Sequence, residues 1–471
     1  MHTIEQFEKQ TEALMEKYHI QGVIVALQKE GELIYDKGFG YRDVDKKLPP
    51  TIETVFGIAS LTKSFTCVGI MQLVEAGKID LHAPITTYIP QFTIPDKEAL
   101  AEMTVHHFMT HSSALPPLPS LDYAMERAWN EEGMIDYKES HEEAIPLRTY
   151  EQLIAFIDEA NVQLLGKVGE PFSYSNDAYG LLGLVIENVS GIPYENYLEE
   201  HVFAPCDLVH THFLLSDYNE DAQLTTCYET HDEADGSVTV YRVQDWWDAP
   251  PMRATGFLKS TAADMLQYSK LYMHGGLVDG VQILSAESVK AMTTRHIQMD
   301  PLNDYGYGFS MPHDFFGKTL LEHGGSLQSV SAKFGIIPEE ELSVIVLANT
   351  SGFASTKVLR SLLNVYAGRE IDALPFTLGS YEVTKADIAS YIGHYASGEG
   401  MDVTFSLKNE ELVFTYKEEE YPVQFIREHV FVAHMDDGLE PCEVIVDNKG
   451  VVTGVSIFHR IVPRVENNSS S

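Results

Sequence analysis

Two strand-like runs near the start of the chain, residues 22–28 and 32–38, are joined by Lys29-Glu30-Gly31 and read as a β-hairpin. Comparable runs return only at residues 305–311, 319–322, 329–337 and 342–349, which form a second antiparallel group. Between the two groups the signals are helical. Residues 60–77 carry Phe65, Ile70, Met71, Leu73 and Val74 on a buried face and stop at Gly77. Helices then alternate with loops rich in Pro, Asp and His up to about residue 290. Further helices are expected over 7–18, where Phe7, Leu14, Met15 and Tyr18 share one face, and over 356–366. A sheet assembled from both ends of a long stretch, with helices inserted between its strands, is an α+β arrangement.

After the segment Asp372-Ala373-Leu374-Pro375-Phe376-Thr377 the texture changes. Short alternating strands are expected at 403–407, 412–416, 421–425, 430–433, 443–446 and 451–459, separated by Lys408-Asn409, Asp436-Asp437-Gly438 and Asn448-Lys449-Gly450. This spacing suggests a small antiparallel β-barrel. The expected division is residues 1–370, a linker at 371–380, a barrel unit at 381–466 and a disordered tail at 467–471. The barrel has no nucleophile or phosphate-binding loop of its own, so its expected role is to cover one side of a cleft and limit substrate size, or to form an oligomer interface.

With 70 acidic and 32 basic residues in 471, the net charge is −38. Such a surface repels phosphate backbones and anionic membranes, which argues against nucleic-acid or membrane partners. The acidity reads as solubility in a salty or alkaline habitat rather than as a docking face. Four dispersed cysteines, with no C-x-x-C pair, indicate neither disulfides nor zinc. No apolar run reaches the ~18 residues of a membrane span, and the first residues do not read as a signal peptide. A cytoplasmic location is expected, or an exported one if a leader has been removed.

Ser60-Leu61-Thr62-Lys63 occurs at the start of the 60–77 helix. Residues three apart share a helical face, so Lys63 can reach the Ser60 oxygen and take its proton, while the helix N-terminus offers a backbone N–H to developing negative charge. Tyr174-Ser175-Asn176 follows a turn-rich stretch and precedes a helical run at 179–186, placing a phenol that can relay a proton beside a carboxamide that can hold an amide. A competing Tyr194-Glu195-Asn196 lies inside an amphipathic helix, with Tyr194 read as core and Asn196 as surface. His323-Gly324-Gly325-Ser326 lies on a strand, where two glycines allow another backbone or a substrate to come close.

In this order the three motifs resemble the serine β-lactamase and penicillin-binding protein superfamily, and more closely its class C and CubicO-type serine hydrolases. Phe56-Gly57-Ile58-Ala59, Thr110-His111-Ser112-Ser113-Ala114-Leu115, residues 256–264 and residues 342–349 look like further landmarks of that family, over about residues 7–367. The tail resembles the lipocalin-like barrel appended to some of these hydrolases. The resemblance implies a β-lactamase/transpeptidase-like catalytic domain, with an antiparallel sheet flanked by helices and a helical subdomain.

It also implies an acyl-enzyme mechanism. Ser60 would be the nucleophile, Lys63 and Tyr174 would share acid and base duty, and Asn176 would orient the substrate. His323, Gly324, Gly325 and Ser326 would line the binding side, with the oxyanion between the backbone N–H groups of Ser60 and Ser326. His323 stands where relatives carry the lysine of Lys-Thr-Gly, so a partly charged imidazole replaces a fixed cation. Ala114 stands where relatives commonly have glycine. The expected function is a peptidase or esterase acting on a small-molecule or peptide substrate, with at most weak β-lactamase activity. The alternative is a penicillin-binding sensor that is acylated and scarcely turns over. A homo-oligomer is compatible with either. No cofactor or metal is expected, the paired histidines His106-His107 and His210-Thr211-His212 included. Trp246-Trp247 is read either as a substrate wall at the cleft mouth or as packing, and the acidic stretch 116–146 as a helical flap near the site.

Overall fold

The computed structural model describes residues 3–125, 147–233, 235–243, 246–435 and 437–465. Its centre is an eight-stranded antiparallel sheet in the order Ile297–Asp300, Asn303–Tyr305, Ser310–Pro312, Leu321–Leu327, Val330–Ile337, Leu342–Ala348, Gly22–Lys29 and Glu32–Gly40. The N-terminal hairpin turns on Glu30 and Gly31, both with left-handed φ (51° and 78°), which suits a two-residue turn. Its first strand pairs with the last strand of the sheet, from Val23 opposite Ala348 to Lys29 opposite Leu342.

Both faces of these two strands are buried. Val23, Val25, Leu27, Val344 and Val346 join one core with the helices Ile4–Lys17 and Ser355–Tyr366. Ile24, Ala26, Ile345 and Leu347 face a larger core with Thr62–Glu75, Asn176–Ser190 and Ala262–Met273. The period-two alternation thus divides each strand between two helical layers.

The C-terminal strands Gly393–Ala396, Asp402–Lys408, Glu411–Tyr416, Glu419–Arg427, Val430–Met435, Gly438–Val446, Val452–Ile457 and Arg460–Pro463 follow one another as an antiparallel meander. A bridge between Tyr395 and Arg464, with the Val465 N–H donating to the His394 carbonyl at 2.9 Å, nearly closes the barrel. Tyr395, Phe405, Phe414, Phe431 and Val455 fill it.

Several boundaries differ from the sequence reading. The expected strand 305–311 is two short strands separated by a turn at Gly306 to Gly308, and 319–322 moves on to Leu321–Leu327, where Phe334 opposite His323 fixes the register. The expected strand 451–459 breaks after Ile457. Phe458 and His459 form a turn with φ of 49° and 65°, a conformation uncommon outside glycine, especially for a bulky residue such as Phe458. The middle of the chain also contains a three-stranded sheet in which Thr54–Gly57 lies between Gln223–Leu224 and Lys259–Ser260. Most of the expected flap, residues 126–146, and the tail at 467–471 lie outside the described residues.

Candidate active site

Thr54–Gly57 leads through a short 3-10 turn, Ala59–Leu61, into the helix Thr62–Glu75. Ala59 has φ 44°, a conformation costing a non-glycine residue roughly 1–2 kcal/mol, and it turns the chain so that Ser60 stands just ahead of the helix. Helix residues 62 to 71 are buried all around, which is why Lys63 is fully enclosed. Its ammonium donates to Ser60 Oγ at 3.2 Å, Asn176 Oδ1 at 2.9 Å and the Thr255 carbonyl at 2.8 Å, and lies 4.6 Å from the Tyr174 ring centroid. Burial holds this lysine well below its usual range, and the charge of Arg460 adds to the effect.

Tyr174 sits just before the helix Asn176–Ser190, which Ser175 caps by accepting from the Ala178 N–H. The helix therefore begins at Asn176, three residues before the expected start, because the cap serine lies inside the motif itself. The loop is fastened by His111, whose carbonyl accepts from the Ser173 N–H at 2.9 Å and whose Nδ1 accepts from the Ser175 N–H at 3.0 Å. Its ring stacks on Tyr174 at 4.1 Å. Burial pushes the Tyr174 phenol above its ordinary range, although a hydrogen bond to Ser60 acts in the opposite direction.

Along Leu321–Leu327, Gly324 and Ser326 are exposed while His323 and Gly325 are buried. A Cβ on Gly325 would lie 2.5 Å from the Ile58 carbonyl, so glycine lets this strand pass beside the turn that carries Ser60. The His323 Nδ1–H donates to the Gly324 carbonyl at 2.6 Å and Nε2 accepts from the Tyr305 hydroxyl at 3.0 Å. Burial, reinforced by Lys63, lowers its pKa to about 3. The imidazole is therefore neutral, not partly charged as expected from its residue type alone.

Three further residues come from the barrel, and motif reading did not find them. The His459 carbonyl accepts from the Tyr174 N–H at 2.9 Å. Arg460 lies over the Tyr174 ring at 4.9 Å and forms a two-point ion pair with Glu399, at 2.6 and 3.0 Å. Glu399 in turn accepts from the Asn176 amide at 3.5 Å. Burial of Arg460 favours its neutral form, and Glu399 more than offsets this, so the guanidinium stays charged. Ser60, Tyr174, Asn176, His323 to Ser326, Glu399 and Arg460 line one cavity of about 720 Å³. The barrel thus walls part of the cleft.

The remaining candidates fall elsewhere. Tyr194 is fully buried and bonded to Thr66 at 2.8 Å, and Asn196 is exposed. Trp247 packs in the core, and both it and Trp246 line a small side pocket with Ala59, Gly256, Lys259 and Leu327. His106 and His107 contact other aromatic rings, and among the described residues no group of three or more His, Cys, Asp or Glu could hold a metal ion. Nor, among them, is any helix long and apolar enough to cross a membrane.

The arrangement offers a hydroxyl, an amine that readily gives up its proton and a phenol that retains its own, the components of acyl transfer through a serine. The family model described as Beta-lactamase matches residues 7–367. Protein flp of Staphylococcus aureus (strain MW2) is 26% identical over 354 residues, or 74% of this chain, and the match spans only 63% of that relative's length. Penicillin-binding protein 4* of Bacillus subtilis (strain 168) is 23% identical, over 85% of each chain. The octameric penicillin-binding protein homologue from Pyrococcus abyssi superposes with a TM-score of 0.68 and 27% identity, covering 98% of this chain and 100% of the other, barrel included. The chain belongs to the Beta-lactamase family.

Proposed function

We propose that the protein is a serine hydrolase that forms an acyl-enzyme at Ser60 on an amide or ester substrate, acting as a peptidase or esterase. The observation that carries this reading is the 3.2 Å contact between Ser60 Oγ and the enclosed Nζ of Lys63. Enclosure favours the neutral amine, so Lys63 accepts the Ser60 proton as the oxygen attacks the carbonyl. The phenol of Tyr174, kept protonated by burial, donates to the departing nitrogen or oxygen and takes back a proton from Lys63, which returns to the neutral amine. Asn176 orients the substrate, and the backbone N–H groups of Ser60 and Ser326 receive the oxyanion. A neutral His323 favours a peptidase or esterase over an efficient β-lactamase, because that position lacks a fixed cation for a penicillin carboxylate.

In this reading residues 1–370 form the catalytic unit, 371–380 the linker and 381–466 a barrel that narrows the cleft. The octameric assembly of the Pyrococcus relative supports a homo-oligomer here too, which solution mass would test. The central test is a fluorophosphonate probe with intact-mass detection. Wild type should gain one adduct and Ser60→Ala none, with turnover of p-nitrophenyl esters and amino-acid p-nitroanilides falling by several orders of magnitude. Labelling that survives in Ser60→Ala defeats the assignment. A penicillin adduct that persists for hours, without ester or anilide turnover, would indicate the sensor instead.

A further inference from the structure

Arg460 and Glu399 belong to opposite ends of the barrel meander and meet at its seam, where Tyr395 bridges Arg464. Glu399 sits at the tip of the turn joining Gly393–Ala396 to Asp402–Lys408, between Gly398 and Gly400, and Gly400 has φ 83°. Both side chains are mostly enclosed, at 17% and 20% exposure, and both line the cavity that contains Ser60. The guanidinium gives Nε and Nη2 to the carboxylate and Nη1 to the Phe458 carbonyl at 3.1 Å. A parallel fork of this kind is the geometry in which arginine binds the carboxylate of a ligand.

The cations farther along this wall are also paired within the chain. Lys333 and Arg360 are both committed to Glu322, at 3.4 and 2.6 Å, and His323 is neutral. Arg460 presents its guanidinium over the Tyr174 ring in the cavity that contains Ser60, where an anionic substrate group would meet it, and its fork is already filled by a carboxylate of the same chain.

We propose that Glu399 is a built-in occupant of an anion subsite formed by Arg460. It fills the fork in the free protein, so the cleft prefers substrates with an uncharged group there and admits a free carboxylate only when Glu399 moves aside. The substrate end facing Arg460 is accordingly an amide, an ester or the continuing chain of a peptide. This deepens the hydrolase reading and rests on it for the word substrate, but the occupancy itself is a binding property and can be measured without turnover.

The test uses the full-length protein and titration calorimetry with N-acetylalanine, in both configurations, against its primary amide. Glu399→Gln keeps the shape of the side chain, removes its charge and replaces one accepting oxygen by an NH2 that cannot accept from the guanidinium. It should strengthen binding of the acid relative to the amide by about 10-fold or more, since a competent state that is rarely populated weakens apparent affinity in proportion. Adding Arg460→Gln to Glu399→Gln should abolish that gain. An acid-to-amide ratio that does not rise in Glu399→Gln overturns the proposal. So does a gain that survives loss of Arg460, which would mean that removing any negative charge suffices. Failure of Ser60 labelling would defeat the hydrolase reading and leave this comparison standing.

Discussion

The Tyr174 N–H donates to the His459 carbonyl at 2.9 Å, which ties the loop carrying the phenol to a turn of the barrel. That turn has φ 65° at His459, a value that glycine adopts freely and proline cannot. His459→Pro should therefore displace the turn and lower kcat on a p-nitrophenyl ester by about 10-fold or more, the scale of misplacing a catalytic group. His459→Gly, which keeps the carbonyl, should retain most of the rate. Equal rates in the two variants would show that the barrel turn does not position Tyr174.

Proton transfer at Ser60 requires Lys63 to be neutral for part of the cycle. Arginine remains charged and is longer, so Lys63→Arg should cost nearly as much turnover as Lys63→Ala. Tyr174→Phe keeps the ring stacked on His111 and removes only the hydroxyl, and should lower kcat by about 10²–10⁴. Steady-state kinetics on one ester and one anilide would check both. A Tyr174→Phe rate within a few-fold of wild type would assign the proton to another group.

The acid limb of kcat/KM should follow Lys63, because activity is lost as pH falls and the amine takes up a proton. Burial and Arg460 both lower the lysine's pKa, so the limb should lie far below the ordinary lysine range. Arg460→Gln removes one of these influences and should move the limb to higher pH. His323, at about 3, does not titrate near neutrality, so His323→Gln should leave the position of the limb unchanged. A pH profile on a neutral ester distinguishes these outcomes.

Asp177 is buried beside Ser120, and burial raises its carboxyl from 3.8 to about 7. A carboxyl raised on folding contributes stability that is complete below its unfolded pKa and lost as pH rises through its folded one. Thermal stability should therefore contain a component that falls between about pH 4 and pH 7. Asp177→Asn should flatten it and give the higher Tm at pH 8. A parallel Tm-against-pH curve for the variant would contradict this.

Ala114 has φ 63°, in the left-handed region where its Cβ is strained. Relief of that strain, about 1–2 kcal/mol, is set against the greater freedom of glycine in the unfolded chain, about 0.4–1 kcal/mol. Ala114→Gly should therefore stabilise the protein by about 1 kcal/mol in urea unfolding. A destabilised variant would show that Ala114 is held by packing that outweighs its backbone.

Ser60 and Lys63 were legible in the sequence because their relationship is local, three residues apart from a 3-10 turn to the first turn of the helix that follows it. Asn176 and Gly325 were legible as parts of short motifs, a phenol and a carboxamide ahead of a helical run and paired glycines on a strand, although the cap at Ser175 that starts the helix was not read. The charge state of His323 was not, since it depends on burial against Tyr305 and Lys63 from distant parts of the chain. Glu399 and Arg460 were invisible for a stronger reason. Their pairing exists only once the barrel has come round to its seam and docked on the cleft, and Phe458-His459 offers none of the Gly, Asn or Pro signals that mark a turn.

The pairing of Gly22–Lys29 with Leu342–Ala348 also has a consequence for synthesis. At about 5–20 residues per second, the first of these strands leaves the ribosome roughly 15–60 s before its neighbour exists. During that interval the nascent chain exposes an apolar edge on both faces, a hazard for aggregation that falls to chaperones. Arg460 emerges later still. The full set of groups around Ser60 is thus completed only after Arg460 has emerged, and a chain released before that point carries a serine with no finished cleft around it.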